Sequence, residues 1–377
     1  MGIFIIGIDG QFLLRIDLDG NEDFITEADL INFVIQEEAG GTLPTFNLAF
    51  RSENESLVYK FQEGVSLSIS LGATNNNMVD YELQIVNVSL QKSQINYTVE
   101  LVGMLDSLDY LSQGNTKIFP ETDAISTLKE ISSKYFTWAK GNITKSMDRQ
   151  KWIQYGLTDK KMVHNLWLRC DIGDNDVPLL GISGNKEIIV KSLRQSLTSF
   201  SWNFTTREDD HNNTIQITPD YGVENLGAFI NGWLGYGRKK PIYMFEEGEE
   251  TENLFKATPF IAIASEIKRA QGIEYKTTEV GIIGENTHKK YWESYYSNLT
   301  NLATMSTLNI NISFINEFKE LGLLDYVSFF DKTVKSDEGV LSPYSGGYFI
   351  TRITRQVRDR TLYTQVQLTR DGLNKGS

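Results

Sequence analysis

The sequence predicts a mainly β fold with α+β insertions, in which one β-module occurs twice. Three observations predict it. Residues 348–370 read as two strands joined by the charged turn Arg358-Asp359-Arg360, with Leu362, Thr364, Val366 and Leu368 alternating along one side of the second strand. Within the first strand the apolar phase moves from Tyr348 and Ile350 to Ile353 and Val357, the mark of a β-bulge. The same pattern stands near the N-terminus. Subtracting 267 (348 − 267 = 81) lays 81–103 on it without a gap: Tyr81 falls on Tyr348, Leu83 on Ile350, Leu90 on Val357, Ile95 on Leu362, Val99 on Val366 and Leu101 on Leu368, with a phase change between Ile85 and Val86. Either two hairpins match by chance, or one β-domain has been used twice with about half the chain inserted between the copies.

Residues 1 to about 111 read as all β. Apolar runs at 3–9 and 11–18 flank Asp9-Gly10, a hairpin turn pair. The acidic stretch 17–23 resembles a calcium loop, but its sixth position is Glu22 where glycine is required and its twelfth is Ala28 where glutamate is required, so it reads as a polar turn. The next strand is Leu30–Glu38. Gly40, Gly41 and Pro44 then punctuate the chain, and 45–50 puts Phe46, Leu48 and Phe50 on one face. Gly64 opens 65–71, where Val65, Leu67, Ile69 and Leu71 alternate with three serines. With 81–103 these short strands fit a barrel or sandwich.

Near 105 the character changes. Thr122 is expected to cap a helix through Tyr135, with Ile125, Leu128 and Ile131 at helical spacing. A second helix starts at Thr158 and carries Met162, Val163, Leu166 and Trp167 on one face. Residues 171–178 read as a loop, and 179–182 with 187–190 as a hairpin around Gly184-Asn185. Strands at 200–206 and 214–218 precede an irregular region, 222–252, which holds Gly232, Gly235, Gly237 and an acidic run at 246–252. A helix at 260–270 and a strand pair at 273–283 follow. Thr287 is expected to cap a helix through Met305 whose stripe of Tyr291, Tyr295, Leu299 and Leu302 packs against a sheet. The alternating run 308–314, then 321–330, a loop to Pro343 and the hairpin 348–370 complete the second module, and 372–377 reads as a frayed tail.

The 377 residues suggest two or three domains, and 40% hydrophobic content supplies their cores. A net charge of −13 disfavours general nucleic-acid binding, because phosphate contacts dominate that affinity, although a surface that DNA merely passes is free to be acidic. The single cysteine, Cys170, excludes an intrachain disulfide and reads as a small buried hydrophobe. The start lacks a positive n-region and meets Asp9, so it is neither a signal peptide nor a membrane span; Ile6 stands where a myristoylation motif needs Ser or Thr. The Asn-x-Ser/Thr triplets at Asn87, Asn96 and Asn203 are what a chain rich in these residues contains by chance.

Little in the chain asks for chemistry. His164, His211 and His288 are far apart and none has metal-ligand spacing, and nucleophile-elbow, zincin and paired-cysteine motifs are absent. The glycine-rich stretch lacks phosphate-binding spacing, and Lys239-Lys240 lack a following Ser or Thr. Asp174 and Asp176 read as solvated loop residues. The expectation is therefore no catalytic, cofactor-binding or metal residue, no cofactor and no enzyme.

Two stretches carry a family resemblance. One is Ala39-Gly40-Gly41-Thr42-Leu43-Pro44 leading into Phe46, Leu48 and Phe50, then Gly64 and its strand. The other runs from Gly322 through Tyr326-Val327-Ser328-Phe329 to Ser345-Gly346-Gly347-Tyr348-Phe349-Ile350. With the helix–loop–hairpin at 158–190, the chain resembles the baseplate central hub proteins of contractile-tailed phages, which are related to the N-terminal part of secretion-system spike proteins. It departs from them at Arg355, where such hairpins often carry His, and 223–288 has no counterpart.

The resemblance implies two tail-tube-like β-barrels interrupted by small inserted domains: 1–111 the first barrel, 112–200 an α+β insertion, 201–222 with 289–372 the second barrel, and 223–288 an irregular insertion. It further implies a homotrimeric ring that adapts a trimeric spike, or cell-puncturing protein, to the hexameric tail tube. That ring contacts other baseplate proteins, meets DNA only in passage through its lumen, and makes no stable membrane insertion. It would sit in the virion, in the tail baseplate, after assembly in the host cytoplasm. Interface strands are expected among 65–71, 81–103, 308–315 and 348–370, because a ring needs its strand edges covered. The competing expectation is another β-rich virion protein, a distal tail or carbohydrate-binding adhesin module, with Trp233 and Tyr236 as its patch.

Overall fold

The computed structural model describes residues 3–6, 13–17, 29–55, 59–72, 78–173, 176–198, 200–206, 214–217, 221–224, 240–246, 249–255, 279–283, 290–306, 308–315, 321–331, 342, 344–359 and 361–372. The turn around Asp9-Gly10, the calcium-like stretch beyond Asp17, the glycine-rich region with Trp233 and Tyr236, the helix read at 260–270 and the cap read at Thr287 lie outside them.

The elements of the first part that the structure describes, as far as residue 105, are all strands. Strands β1 (Ile3–Ile6) and β2 (Leu13–Asp17) pair antiparallel, with Ile3 opposite Ile16. They are followed by β3 (Leu30–Glu38), β4 (Thr45–Ser52), β5 (Ser66–Gly72), β6 (Met78–Ser93) and β7 (Asn96–Leu105). Alternation sets their burial: Phe33 and Ile35 on β3, and Phe46, Leu48 and Phe50 on β4, are all buried.

A compact α+β segment comes next, made of α1 (Leu108–Ser112), β8 (Gly114–Thr122), α2 (Ala124–Ser132), β9 (Thr137–Trp138), β10 (Gln150–Thr158), α3 (Asp159–Arg169), β11 (Pro178–Ile182), β12 (Glu187–Ser192) and the single turn α4 (Leu193–Ser196). Thr158 caps α3 as its hydroxyl side chain predicts, accepting from Lys161 N at 3.3 Å. The cap of α2 is not Thr122, which ends β8, but Asp123, whose Oδ1 accepts from Ser126 N at 3.0 Å. Sequence periodicity missed the β8–β10 ribbon. Along β8 only Phe119 is buried, so no alternation of apolar residues betrays the strand.

The remaining strands are β13 (Asn203–Thr205), β14 (Thr214–Gln216), β15 (Gly222–Glu224), β16 (Lys240–Glu246), β17 (Glu249–Phe255), β18 (Glu279–Ile283), β19 (Leu308–Ile315), β20 (Tyr326–Phe330), β21 (Gly346–Arg358) and β22 (Thr361–Arg370). Helix α5 (Lys290–Met305) lies between β18 and β19. The segment 223–288, expected to be irregular, contains the three-stranded sheet β17-β16-β18, and Glu246 and 249–252 of the acidic run lie on its strands β16 and β17. The aromatic stripe of α5 packs against core residues, as expected, and it does so on α3 as well as on strands: the Arg169 guanidinium lies 4.5 Å from the Tyr291 ring centroid and 4.4 Å from that of Tyr295, the Trp152 ring of β10 lies 6.0 Å from Tyr291, and Leu302 packs with Leu179, Ile189 and Phe349.

One 14-stranded sheet runs through the molecule in the order β1-β2-β5-β6-β7-β4-β3-β21-β20-β13-β14, with β22, β19 and β15 continuing from β21. A twisted sheet of that width does not stay open and flat, and here it curls into a half-barrel. Its first part encloses a core of Phe33, Phe46, Leu48, Leu67, Ile69, Tyr81 and Leu101, and its last part a separate core of Phe204, Ile310, Ile312, Phe329, Tyr348 and Val366.

Five strands recur. The set β3-β4-β7-β6-β5 and the set β15-β19-β22-β21-β20 follow the same chain order with the same all-antiparallel pairing. The match extends to single residues. The cross-strand row Ile35, Phe46, Gly103, Ile85 has the counterpart Val223, Ile310, Leu368, Ile350. Just beyond that row each hairpin has its register shift, between Ile85 and Asn87 and between Ile350 and Arg352. Each then closes over two residues, from Ser93 to Asn96 and from Arg358 to Thr361. Even the approach to the hairpin recurs: Gly64 N donates to Ile85 O and Leu324 N to Ile350 O, both at 2.8 Å, from residues with φ of 88° and 64°. The hairpins are thus related by 265 residues (350 − 85, 368 − 103 and 358 − 93), which corrects the 267 read from the apolar pattern.

Candidate functional site

The sheet passes from its first part to its last at one seam, where β3 pairs antiparallel with the far half of β21, from Arg352 opposite Glu38 to Arg358 opposite Asn32. The near half of β21, Gly346–Phe349 opposite β20, uses the same outer edge, so one long strand serves two neighbours in succession. At the seam's margin Arg352 Nη2 donates to Glu38 Oε1 at 2.8 Å, and Gln356 Nε2 to Asn32 Oδ1 at 2.8 Å.

The seam's centre is a buried charged node. Arg355 is 4% exposed and Glu37 6% exposed. Arg355 Nη1 donates to Glu37 Oε1 at 3.0 Å and to the Tyr81 hydroxyl at 3.2 Å, and Nη2 reaches Leu321 O at 3.5 Å. The other carboxylate oxygen, Glu37 Oε2, accepts from Gly184 N at 3.1 Å. A buried charge must be paired and hydrogen-bonded to be tolerated. Here the pairing draws on β3, β6, β21 and the β11–β12 turn at once. Burial pushes the Tyr81 hydroxyl up to about 12, so it stays a neutral partner. Gly184 is required where it stands, since a Cβ there would come within 2.1 Å of the Tyr81 ring. Sequence reasoning marked Arg355 only as a departure and missed Glu37, Tyr81 and Gly184. A signal was present: Glu37 follows Phe33 and Ile35, and Arg355 sits between Ile353 and Val357, so two opposite charges occupy inward strand positions.

The equivalent stretch of the first hairpin is open. Residues 352–358 of β21 correspond to 87–93 of β6 under the 265-residue shift, yet among the described residues no strand pairs the outer edge of β6 beyond Ile85. Positions Ile353, Arg355 and Val357 are buried, whereas their counterparts are Val88, half-buried; Leu90, 46% exposed; and Lys92, exposed. The tip is finished by polar contacts: Lys92 Nζ lies 5.0 Å from the Tyr97 ring centroid, and the Tyr97 hydroxyl donates to Glu55 Oε1 at 2.7 Å. Among the described residues, β7 and β22 are paired along both edges, β5 pairs β2 from Ser68 on, and β19 pairs β15 only at Asn309–Asn311; the far half of β6 is the longest stretch of these interface candidates without a partner on one edge.

Elsewhere the polar groups hold structure. Asp159 accepts from Asn115, Gln154, Lys134 and Tyr135, all within 3.0 Å. Asp176 is not a solvated loop residue: it accepts from Ser192 Oγ and from the backbone at Arg194, holding the start of α4. Asp174 lies outside the described residues, as do His211 and His288. His164 stacks edge-on against Trp167, and burial lowers its pKa. Cys170 is buried, which pushes its thiol well above the ordinary value and leaves it unreactive. Asp148, wholly buried, accepts from Ala124 N and Ser146 Oγ, and burial pushes its carboxyl up to about 6. Among the described residues no group of three or more His, Cys, Asp or Glu is placed to hold a metal ion, and no helix is long and apolar enough to cross a membrane.

No protein-family model and no curated protein matches the chain. Solved structures do. A tail protein from Neisseria meningitidis MC58 is similar over 96% of this chain and 97% of its own, at 10% identity and a TM-score of 0.62. The 43 kDa tail protein of prophage MuSo2 from Shewanella oneidensis is similar over 95% of this chain and 98% of its own, at 10% identity and a TM-score of 0.60. An Escherichia coli component of the type VI secretion system, described as structurally similar to tail proteins of bacteriophage T4, is similar over 94% of this chain and 76% of its own, at 10% identity and a TM-score of 0.50. The chain therefore has the fold of phage tail proteins, along nearly its whole length.

Proposed function

We propose that the chain is a structural baseplate hub of a phage tail. In this reading its two five-strand units are tail-tube-like barrels, 1–111 and 201–222 with 289–372, interrupted by the insertions 112–200 and 223–288. Three copies close a ring whose six units present a pseudo-sixfold face to a hexameric tube and a threefold face to a trimeric spike, with other baseplate proteins around it. DNA passes the lumen without being held, which suits a chain of net charge −13. The protein acts as a scaffold in the virion, not as a catalyst. The observation that carries the reading is the duplicated unit, matched strand for strand and bulge for bulge within one continuous sheet. A symmetry adaptor requires two similar units per chain, and the fold likeness to tail proteins supports the same assignment.

The test is solution mass by light scattering, with negative-stain class averages of the same fraction. A trimer with six lobes around a central hole is the expected result. A species of any other symmetry, or one without six similar lobes, overturns the hub.

A further inference from the structure

The duplication leaves one contact made once and missing once. Within the chain β3 lies along the far half of β21. The counterpart of β21 is β6, and the counterpart of β3 is β15, because Ile35 opposite Phe46 matches Val223 opposite Ile310 (223 − 35 = 188). Among the described residues β15 pairs only with β19, and the far half of β6 pairs only with β7. Two edges that would complete each other by the molecule's own pairing rule therefore both lack a partner among the described residues.

We propose that the far half of β6 pairs with β15 of a second copy of this chain, repeating between chains the antiparallel seam that β3 and β21 make within one. The register follows from the internal seam. Gln356 faces Val34, Arg355 faces Ile35 and Thr354 faces Gln36. Subtracting 265 on one side and adding 188 on the other places Gln91 opposite Gly222, Leu90 opposite Val223 and Ser89 opposite Glu224. The contact is head to tail, so each copy donates one edge and accepts at the other, and repetition generates a ring or an open filament. It also covers an edge that is otherwise a template for uncontrolled pairing. The apolar side chains along it agree: Leu90 is 46% exposed, and Val88 is half-buried. One difference sets its character. The internal seam buries the Arg355–Glu37 pair and Val357, whereas the open edge carries Leu90 and Lys92 at the matching positions, so the contact between copies is a backbone ladder with shallow side-chain burial. The proposal rests on the hub reading only for the number of copies that close the ring.

Two variants of the full chain, Leu90→Cys and Val223→Cys, are prepared separately with distinct tags, mixed and mildly oxidised; the native Cys170 is buried and does not compete. A disulfide-linked heterodimer, confirmed by intact mass, is expected from this mixture and is absent when Leu90→Cys is mixed with Ile153→Cys, an exposed residue on the β8–β10 ribbon. A second variant, Val88→Lys with Leu90→Lys, changes only residues that are not fully buried. It is expected to lower the assembled mass to that of a monomer while leaving the far-ultraviolet circular dichroism spectrum unchanged. A trimer that forms without the specific heterodimer, or that survives the double lysine substitution, overturns the edge pairing and leaves the hub standing. A specific heterodimer accompanied by open filaments sustains the pairing and overturns the hub. A monomer with no heterodimer at any concentration overturns the pairing.

Discussion

The β6–β7 and β21–β22 hairpins have the same backbone, with the same bulge, the same two-residue closure and positive φ at the corresponding turn residues Gln94 and Asp359. They differ in what lies along them. The second hairpin carries β3 on its outer edge and buries Val357 and Leu362 in the core of the first unit. Among the described residues no strand lies along the outer edge of the first hairpin beyond Ile85, and its tip carries Lys92 and Tyr97, whose hydroxyl donates to Glu55. Backbone geometry thus recurs faithfully while burial is decided by the neighbour, and the side chains have followed the burial.

The difference should be measurable by substituting matched positions, with unfolding in urea as the readout. The largest gap is expected between Arg355→Met and Leu90→Met. The first leaves Glu37 buried without its partner and should cost about 3–5 kcal/mol. The second alters an exposed side chain and should stay within about 0.5 kcal/mol. Equal effects would break the claim that the seam, not the hairpin, determines the energetics. Adding Glu37→Gln to the first variant should recover part of its loss, because the orphaned charge is then gone.

The row beside the bulge offers a second contrast. Gly103 corresponds to Leu368, and a Cβ at Gly103 would meet Gln84 O at 2.1 Å and the Phe46 ring at 2.4 Å. Gly103→Ala should therefore cost roughly 1–3 kcal/mol through overpacking, although its counterpart accommodates a full leucine. A neutral outcome would mean that the close approach of β4, β6 and β7 relaxes freely.

At the tips, Val357→Ala should cost roughly 2 kcal/mol for lost burial and the cavity left behind. Lys92→Ala removes only a solvent-exposed cation beside Tyr97 and should shift the urea midpoint far less than Val357→Ala does.

A site in neither hairpin sharpens the scale. The folded pKa of Asp148, about 6, lies above its ordinary 3.8, so between those values the native state holds a proton that the unfolded chain has released. Its contribution to stability is present below about pH 4 and is lost as pH rises through about 6. Asp148→Asn should remove that dependence. The stability of the variant relative to the parent should then be greater at pH 7 than at pH 4.5, by on the order of 1–2 kcal/mol. A difference that does not vary with pH would show that this carboxyl titrates normally.

Much of the fold was legible along the chain because alternation reports directly on which face of a strand is wet. Leu30–Glu38 was read to the residue, and the Thr158 cap of α3 and the hairpin around Gly184-Asn185 followed from local chemistry that does not need the rest of the molecule. The repeat was legible for the same reason, and so was its error. Strand side chains have a period of two, so a slip of two residues preserves every inward and outward assignment, and an apolar pattern cannot separate 267 from 265. That separation required the pairing partners, which belong to other strands. Mostly polar strands such as β8 were invisible because they bury a single large side chain. The buried node was invisible as a unit because Glu37, Tyr81, Gly184 and Arg355 lie up to 318 positions apart and meet only once β3 is laid against β21. A charge at an inward strand position is a local fact that sequence can display, but whether it is satisfied or ruinous depends on what arrives opposite it, and that is settled when the sheet closes.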